Sequence, residues 1–136
     1  MSWLRTALLY LLAAVMIGAG IMHFVAPGFY VALIPPSWPA RLAAVHISGV
    51  AEILLGVLVV VPRTRRLAAW GLIALFIAVF PANIYHAISG GLTHPDLPAS
   101  MADPTTAWLR LPFQFVFIAW AWMFTREPRS ASSPGA

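Results

Sequence analysis

The 136-residue chain contains no cysteine. That excludes a disulfide, a thiolate nucleophile, an iron–sulfur cluster and a Cys-ligated zinc, so any sulfur redox chemistry must take place on a partner. Charge is scarce too. Only 9% of residues are charged against 61% hydrophobic, where ordinary domains carry about 25% charged residues. A water-soluble domain is incompatible with that balance. Acid is scarcest of all: of the four Asp and Glu residues, Asp96, Asp103 and Glu127 lie outside the long apolar runs and Glu52 alone lies within one.

What is abundant is apolar length. The runs Leu4–Val25, Leu42–Val61, Leu67–Ile88 and Ala107–Thr125 each approach the ~20 residues that a bilayer crossing needs. The expected fold is all-α, a four-transmembrane-helix bundle over residues 1–126. The stretch from Glu127, EPRSASSPGA, has too little apolar content to pack and is expected to be a disordered tail. Gly18-Ala19-Gly20 offers a small-residue cleavage site after Arg5. The first run is longer than the ~7–15 apolar residues of a secretory signal, however, so it is read as a retained span.

The net charge of +4 has a sidedness. Arg5, Arg63, Arg65, Arg66, Arg126 and Arg129 flank spans on one side, whereas Arg41, with Arg110 just inside the fourth run, belongs to the other. Basic flanks favour the cytoplasm. Both termini and the turn Pro62–Arg66 are therefore expected inside a bacterial-type cytoplasmic membrane, with the two longer loops outside. A membrane flank accounts for the basicity, and nucleic acid is not an expected partner.

The first long loop, APGFYVALIPPSWPAR over Ala26–Arg41, is aromatic and apolar, the composition of an interfacial anchor or a lid over the bundle mouth. The second, Ser89–Thr106, carries Gly90-Gly91 and several prolines and is expected to be irregular.

Glu52 sits mid-run. A lone acid at that depth costs about 2.5–3.5 kcal/mol on insertion scales, so it should face the protein interior and have partners. Ser48, Gly49, Glu52 and Gly56 share one helical stripe, whose glycines admit a close neighbouring helix. Asn83 and His86 share a face of the third span, Arg110 and Gln114 one of the fourth, and Pro81 interrupts the backbone bonding beside them. Placed by depth, His23, His46, His86 and Arg110 lie near one mouth, Asn83 and Gln114 below them and Glu52 at the floor. The opposite halves of the spans are almost wholly apolar. A direct Glu52–Arg110 ion pair is disfavoured by the axial offset, and a stepped hydrogen-bonded network is expected instead. Burial without a cation favours the neutral form of a carboxylic acid, which makes Glu52 a candidate proton carrier.

Two histidines can hold haem in a bundle, but no HxxxH, ExxH or CxxCH spacing supports it here, and haem and metal are not expected. No nucleophile–base pair or nucleotide loop is present, which points to a non-catalytic subunit rather than an enzyme acting alone. One acid above an apolar floor makes no through-path for ions.

The segments GIMHFVAPGFY with PPSWP, ISGVAEILLG, GLIALFIAVFPANIYHA and WLRLPFQ together resemble the DoxX-like family of small four-helix membrane proteins over roughly residues 18–126. The resemblance implies a quinone-linked membrane subunit of an oxidoreductase. Its ligand-binding positions would be His46, Glu52, Asn83, Arg110 and Gln114, with His23 and His86 at the mouth. The partner it implies is a membrane or peripheral oxidoreductase carrying the redox centres; the apolar runs themselves make the lipid bilayer a partner, and a homo-oligomer is left open. The alternative is an assembly or scaffold protein for another membrane protein.

Overall fold

The computed structural model describes residues 1–128 and contains five α-helices and a 3-10 turn. They are α1 (Trp3–Val25), α2 (Pro27–Ala32), α3 (Arg41–Val60), α4 (Arg65–Ile88), the 3-10 turn Ala99–Ala102 and α5 (Pro104–Trp122). Residues 129–136, which hold most of the tail expected to be disordered, lie outside the described residues. The four long helices fall within a few residues of the expected spans. The short α2 inside the first loop was not expected. Pro27 opens it at a position that needs no backbone donor, and Pro35, Pro36 and Pro39 prevent its extension.

Three of the long helices, α1, α3 and α4, are long and apolar enough to cross a membrane. The 19-residue α5 is of similar length, but Arg110, Pro112 and Gln114 reduce its apolarity. Only 22–33% of the residues in the three spans are buried, and Ile47, Leu54, Leu67, Trp70 and Ile77 point outward. An apolar exterior of this extent suits lipid, not water. This is the organisation of a multi-pass membrane protein.

The chain runs up α1, down α3, up α4 and down α5. One end of the bundle therefore carries the long loops, and the other carries the termini and the short turn after α3. The apolar core occupies the short-turn half: Leu9, Leu12 and Met16 of α1, Val59 of α3, Leu72 and Phe76 of α4, and Ala121 with Phe124 at the end of α5.

Helix ends in an apolar surround must satisfy their backbone groups internally. Ser2 Oγ accepts from Arg5 N at the start of α1, and Asp103 accepts from Thr105 N at the start of α5. The C-terminal carbonyls are met by arginines. Arg5 Nη2 donates to Met123 O at 2.6 Å and Arg126 O at 2.7 Å, past the end of α5. Arg65 donates to Val59 O and Val60 O at the end of α3. Arg41 Nη1 donates to Val31 O at 3.2 Å in α2 and to Ile34 O just beyond it.

α1 and α3 make the closest helix pair, and glycine is the reason. A Cβ on Gly20 would stand 2.6 Å from Ile53 Cγ1 and 2.7 Å from Gly49 O, and one on Gly49 would meet His23 Cβ at 2.7 Å. Near the other end of the seam, Gly56 lies against Ala13, Met16 and Ile17 of α1. Backbone shifts of the kind an intruding methyl forces cost about 1–3 kcal/mol. Gly49→Ala should therefore lower the midpoint of thermal unfolding in detergent, while Gly18→Ala, where an added Cβ meets nothing within 4 Å, should leave it unchanged or raise it. Equal midpoints for the two variants would disprove the close-contact account.

Candidate functional site

The polar side chains collect in the long-loop half as three linked groups. The first joins α1, α2 and α3. His23 Nδ1 lies 2.7 Å from Ala19 O, one turn back along α1, and 2.9 Å from Glu52 Oε2. Both neighbours are acceptors, so Nδ1 carries a proton. The N–H vector runs to Ala19 O, and Glu52 Oε2 is left buried in close contact with the ring but without a hydrogen bond. Ser48 Oγ, one turn away on the same stripe of α3, is likewise buried and unbonded. Tyr30 of α2 stacks on His23 with ring centroids 3.7 Å apart and planes 18° from parallel. The short helix thus roofs the acid.

The second group ties α4 to α5 and to the second loop. His86 is fully buried; its Nε2 lies 2.7 Å from Met101 O and its Nδ1 3.2 Å from Arg110 Nη1. A carbonyl accepts and a guanidinium donates, so this imidazole is fixed in the neutral Nε2–H form. Both of its nitrogens are engaged, which removes His86 from any axial pairing with haem. Met101 O also accepts from Leu92 N, so the 3-10 turn and the second loop are pinned to the helices.

The third group is a clamp. Asn83 Nδ2 donates to Gln114 Oε1 at 2.8 Å, and Gln114 Nε2 donates to Phe76 O. Pro81 leaves Ile77 O without its helical donor and loosens the ladder in that turn, yet α4 continues through it. The bond to Phe76 O braces the neighbouring carbonyl. Both amides spend these contacts on each other and on the backbone, so their evident role is to join α4 to α5.

The remaining predicted residue, His46, is half-buried and stacks on Phe24 at 5.2 Å, away from Arg110. Glu52 and Arg110 form no ion pair; each holds a histidine of its own, and their charges meet at Tyr30. Burial pushes the Tyr30 phenol above its usual value, the Glu52 charge adds to the rise, and the Arg110 guanidinium opposes it. A cavity of 510 Å³ does open at the long-loop end. It is lined by Gly28, Arg41, Tyr85, His94 and Asp96 among others, not by Glu52.

A family profile described as a domain of unknown function, DUF8561, matches residues 12–125. The chain belongs to the DUF8561 family. No curated protein and no solved structure matches it. The match takes in α2 to α5 and most of α1, so all three polar groups of this DUF8561 chain lie inside the family region.

Sequence reasoning missed Tyr30 and the carbonyls of Ala19 and Met101. Tyr30 had a signal: it is the polar-tipped aromatic of a loop whose composition already suggested a lid. Backbone carbonyls carry none, because every residue has one. Titrated by tyrosinate absorbance, the protein should show ionisation extending above the ordinary tyrosine range near ~10, and Tyr30→Phe should remove that late component. A phenol whose folded-state pKa is raised contributes stability below about pH 10 that is lost as pH rises through the folded value. The wild type should accordingly lose more stability at high pH than Tyr30→Phe; identical profiles would refute the burial described here.

Proposed function

We propose that this chain is a four-span protein of the bacterial cytoplasmic membrane, with both termini inside, that binds a quinone or similar amphipathic carbonyl compound as a non-catalytic subunit of a membrane oxidoreductase system of the DoxX-like type. Arg5, Arg63, Arg65, Arg66 and Arg126 gather at the short-turn end, which supports that end as the cytoplasmic one. The polar cluster then opens toward the outer leaflet. The observation that carries the reading is the pair of buried oxygens one turn apart, Ser48 Oγ and Glu52 Oε2, neither of which receives a directed hydrogen bond although His23 Nδ1 lies 2.9 Å from the carboxylate. Such atoms are rare in native interiors without a ligand or water to satisfy them.

A quinone, when bound, supplies two-electron, two-proton redox chemistry, and the electrons pass to centres on a partner. The chain's own contribution is hydrogen bonding and proton handling. Arg110 retains donors beyond the one given to His86, and the Tyr30 hydroxyl adds another; both suit a carbonyl oxygen. A neutral His23 would accept a proton from a hydroxyl at Nε2 and, on turning Nδ1–H from Ala19 O toward Glu52 Oε2, 2.9 Å away, would pass one to the carboxylate. Access from the bilayer is supported by the seam between α1 and α5. Its hydrogen bonds, from Arg5 to Met123 O and Arg126 O and from Trp120 to Leu8 O, all lie at the short-turn end.

Quinone extracted from the purified protein should fall about tenfold in Glu52→Gln, the loss of one hydrogen bond to a charged group, and much less in Gln114→Leu at matched folded fraction. Wild-type protein that carries no quinone and recruits no redox partner would refute the proposal. A second reading rests on α5, whose Trp108, Phe115 and Trp122, spaced seven residues apart, are exposed along one face. That aromatic stripe fits a helix of another membrane protein, as an assembly factor would require. One stable partner recovered by affinity purification, with its yield independent of quinone, would favour that reading.

A further inference from the structure

The 510 Å³ cavity between the two long loops is separate from the Glu52 cluster and falls within the size range of small-molecule sites. Its lining includes Arg41 at the start of α3 and Asp96 of the second loop, with Tyr85 and Thr93 as further polar members and Val31 and Leu92 as apolar ones. The two opposite charges do not pair with each other; neither ion pair of the described residues joins them.

Neither charge has a Lys, Arg, Asp or Glu partner among the described residues, and the Asp96 side chain is 56% exposed. Arg41 Nη1 is tied to two carbonyls, Val31 O and Ile34 O, which orient the guanidinium but carry no formal charge, and its other N–H groups are left over. The Asp96 backbone N–H donates to His94 Nδ1 at 3.1 Å. The ring nitrogen nearest the carboxylate, 3.6 Å from Oδ2, is therefore an acceptor and offers it no proton. Gly28 completes the placement. A Cβ there would stand 2.6 Å from Asp96 Oδ2, so the second loop seats its acid directly on the backbone of α2.

We propose that this cavity binds a zwitterion composed of a phosphate and a primary ammonium, the phosphate on Arg41 and the ammonium on Asp96. A guanidinium and a carboxylate that line one cavity without pairing are complementary to such a molecule and to neither charge alone. The cavity lies where α3 begins and α4 ends, at the ends of two spans. An aminophospholipid headgroup reaches this level from the bilayer, and free phosphoethanolamine reaches it from water.

The test is native mass spectrometry of the full chain in detergent with phosphatidylethanolamine or phosphatidylglycerol at equal concentration, the second offering phosphate without ammonium. Wild type should retain phosphatidylethanolamine about tenfold more strongly, the weight of one charge-assisted hydrogen bond. Asp96→Asn should reduce it to the level of phosphatidylglycerol and leave phosphatidylglycerol binding unchanged. Arg41→Gln should weaken both lipids; if that variant does not fold, Asp96→Asn decides the matter alone. Displacement of the lipid by phosphoethanolamine would identify the water-soluble zwitterion as sufficient, and no displacement would assign the site to the lipid. Equal retention of the two lipids by wild type, or a preference that survives in Asp96→Asn, would overturn the proposal. Quinone content should be the same in wild type and Asp96→Asn, so this result and the one at Glu52 stand or fall separately.

Discussion

The close approach of α1 and α3 is the constraint on which the rest of the site depends. Gly20 and Gly49 remove the side chains that would otherwise hold the two backbones apart, and His23 then reaches Glu52 at 2.9 Å. Without that seam the carboxylate would face lipid or a neighbouring apolar side chain, at the cost that excludes lone acids from membrane interiors. The seam also sets where α2 must lie, because the chain leaves α1 two residues after His23. Tyr30 is thereby brought back over the imidazole.

Polar groups in this bundle divide by what satisfies them. Asn83, Gln114 and His86 are buried and hydrogen-bonded, joining helices and a loop to one another. Arg5, Arg41 and Arg65 are engaged as well, at helix ends where carbonyls would otherwise be unpaired in an apolar surround. Glu52 Oε2 and Ser48 Oγ are buried without a hydrogen bond, as Arg5 Nε is at the other end of the bundle. The two oxygens stand near groups with donors to spare, Arg110 and the Tyr30 hydroxyl, and the proposed site rests on that combination. At the cavity between the two long loops, Arg41 is oriented by the carbonyls of Val31 and Ile34, and Asp96 lines the same space without pairing to it.

Much of the fold was legible from residue type and run length. Four helices appear within a few residues of the expected spans, and the apolar half and the polar half of the bundle are where hydropathy along the runs places them. The site was legible as a set but not as an arrangement. Depth along the helix axes put His23 at the mouth and Glu52 at the floor, with amides between. In the structure the two touch, for two reasons. The register of the glycine seam leaves them only a turn or two apart along the axis. Helical side chains also lean toward their own N-terminus, so in this antiparallel pair His23 leans into the bundle and Glu52 leans out to meet it. His46, at a similar level to His23 on the neighbouring helix, falls on the Phe24 side and stays apart.

The sequence by itself determined the membrane class, the number and order of the long helices, the sidedness of the arginines and the burial of a lone acid. These follow from composition and from periodicity along one segment at a time, and each helix obeys them without reference to its neighbours. The tertiary structure alone decided the partners: His23 for Glu52, His86 for Arg110, Gln114 for Asn83, and Tyr30 as the roof. Partnership depends on inter-helix register and on which way each side chain leans, and both are set only when the helices pack.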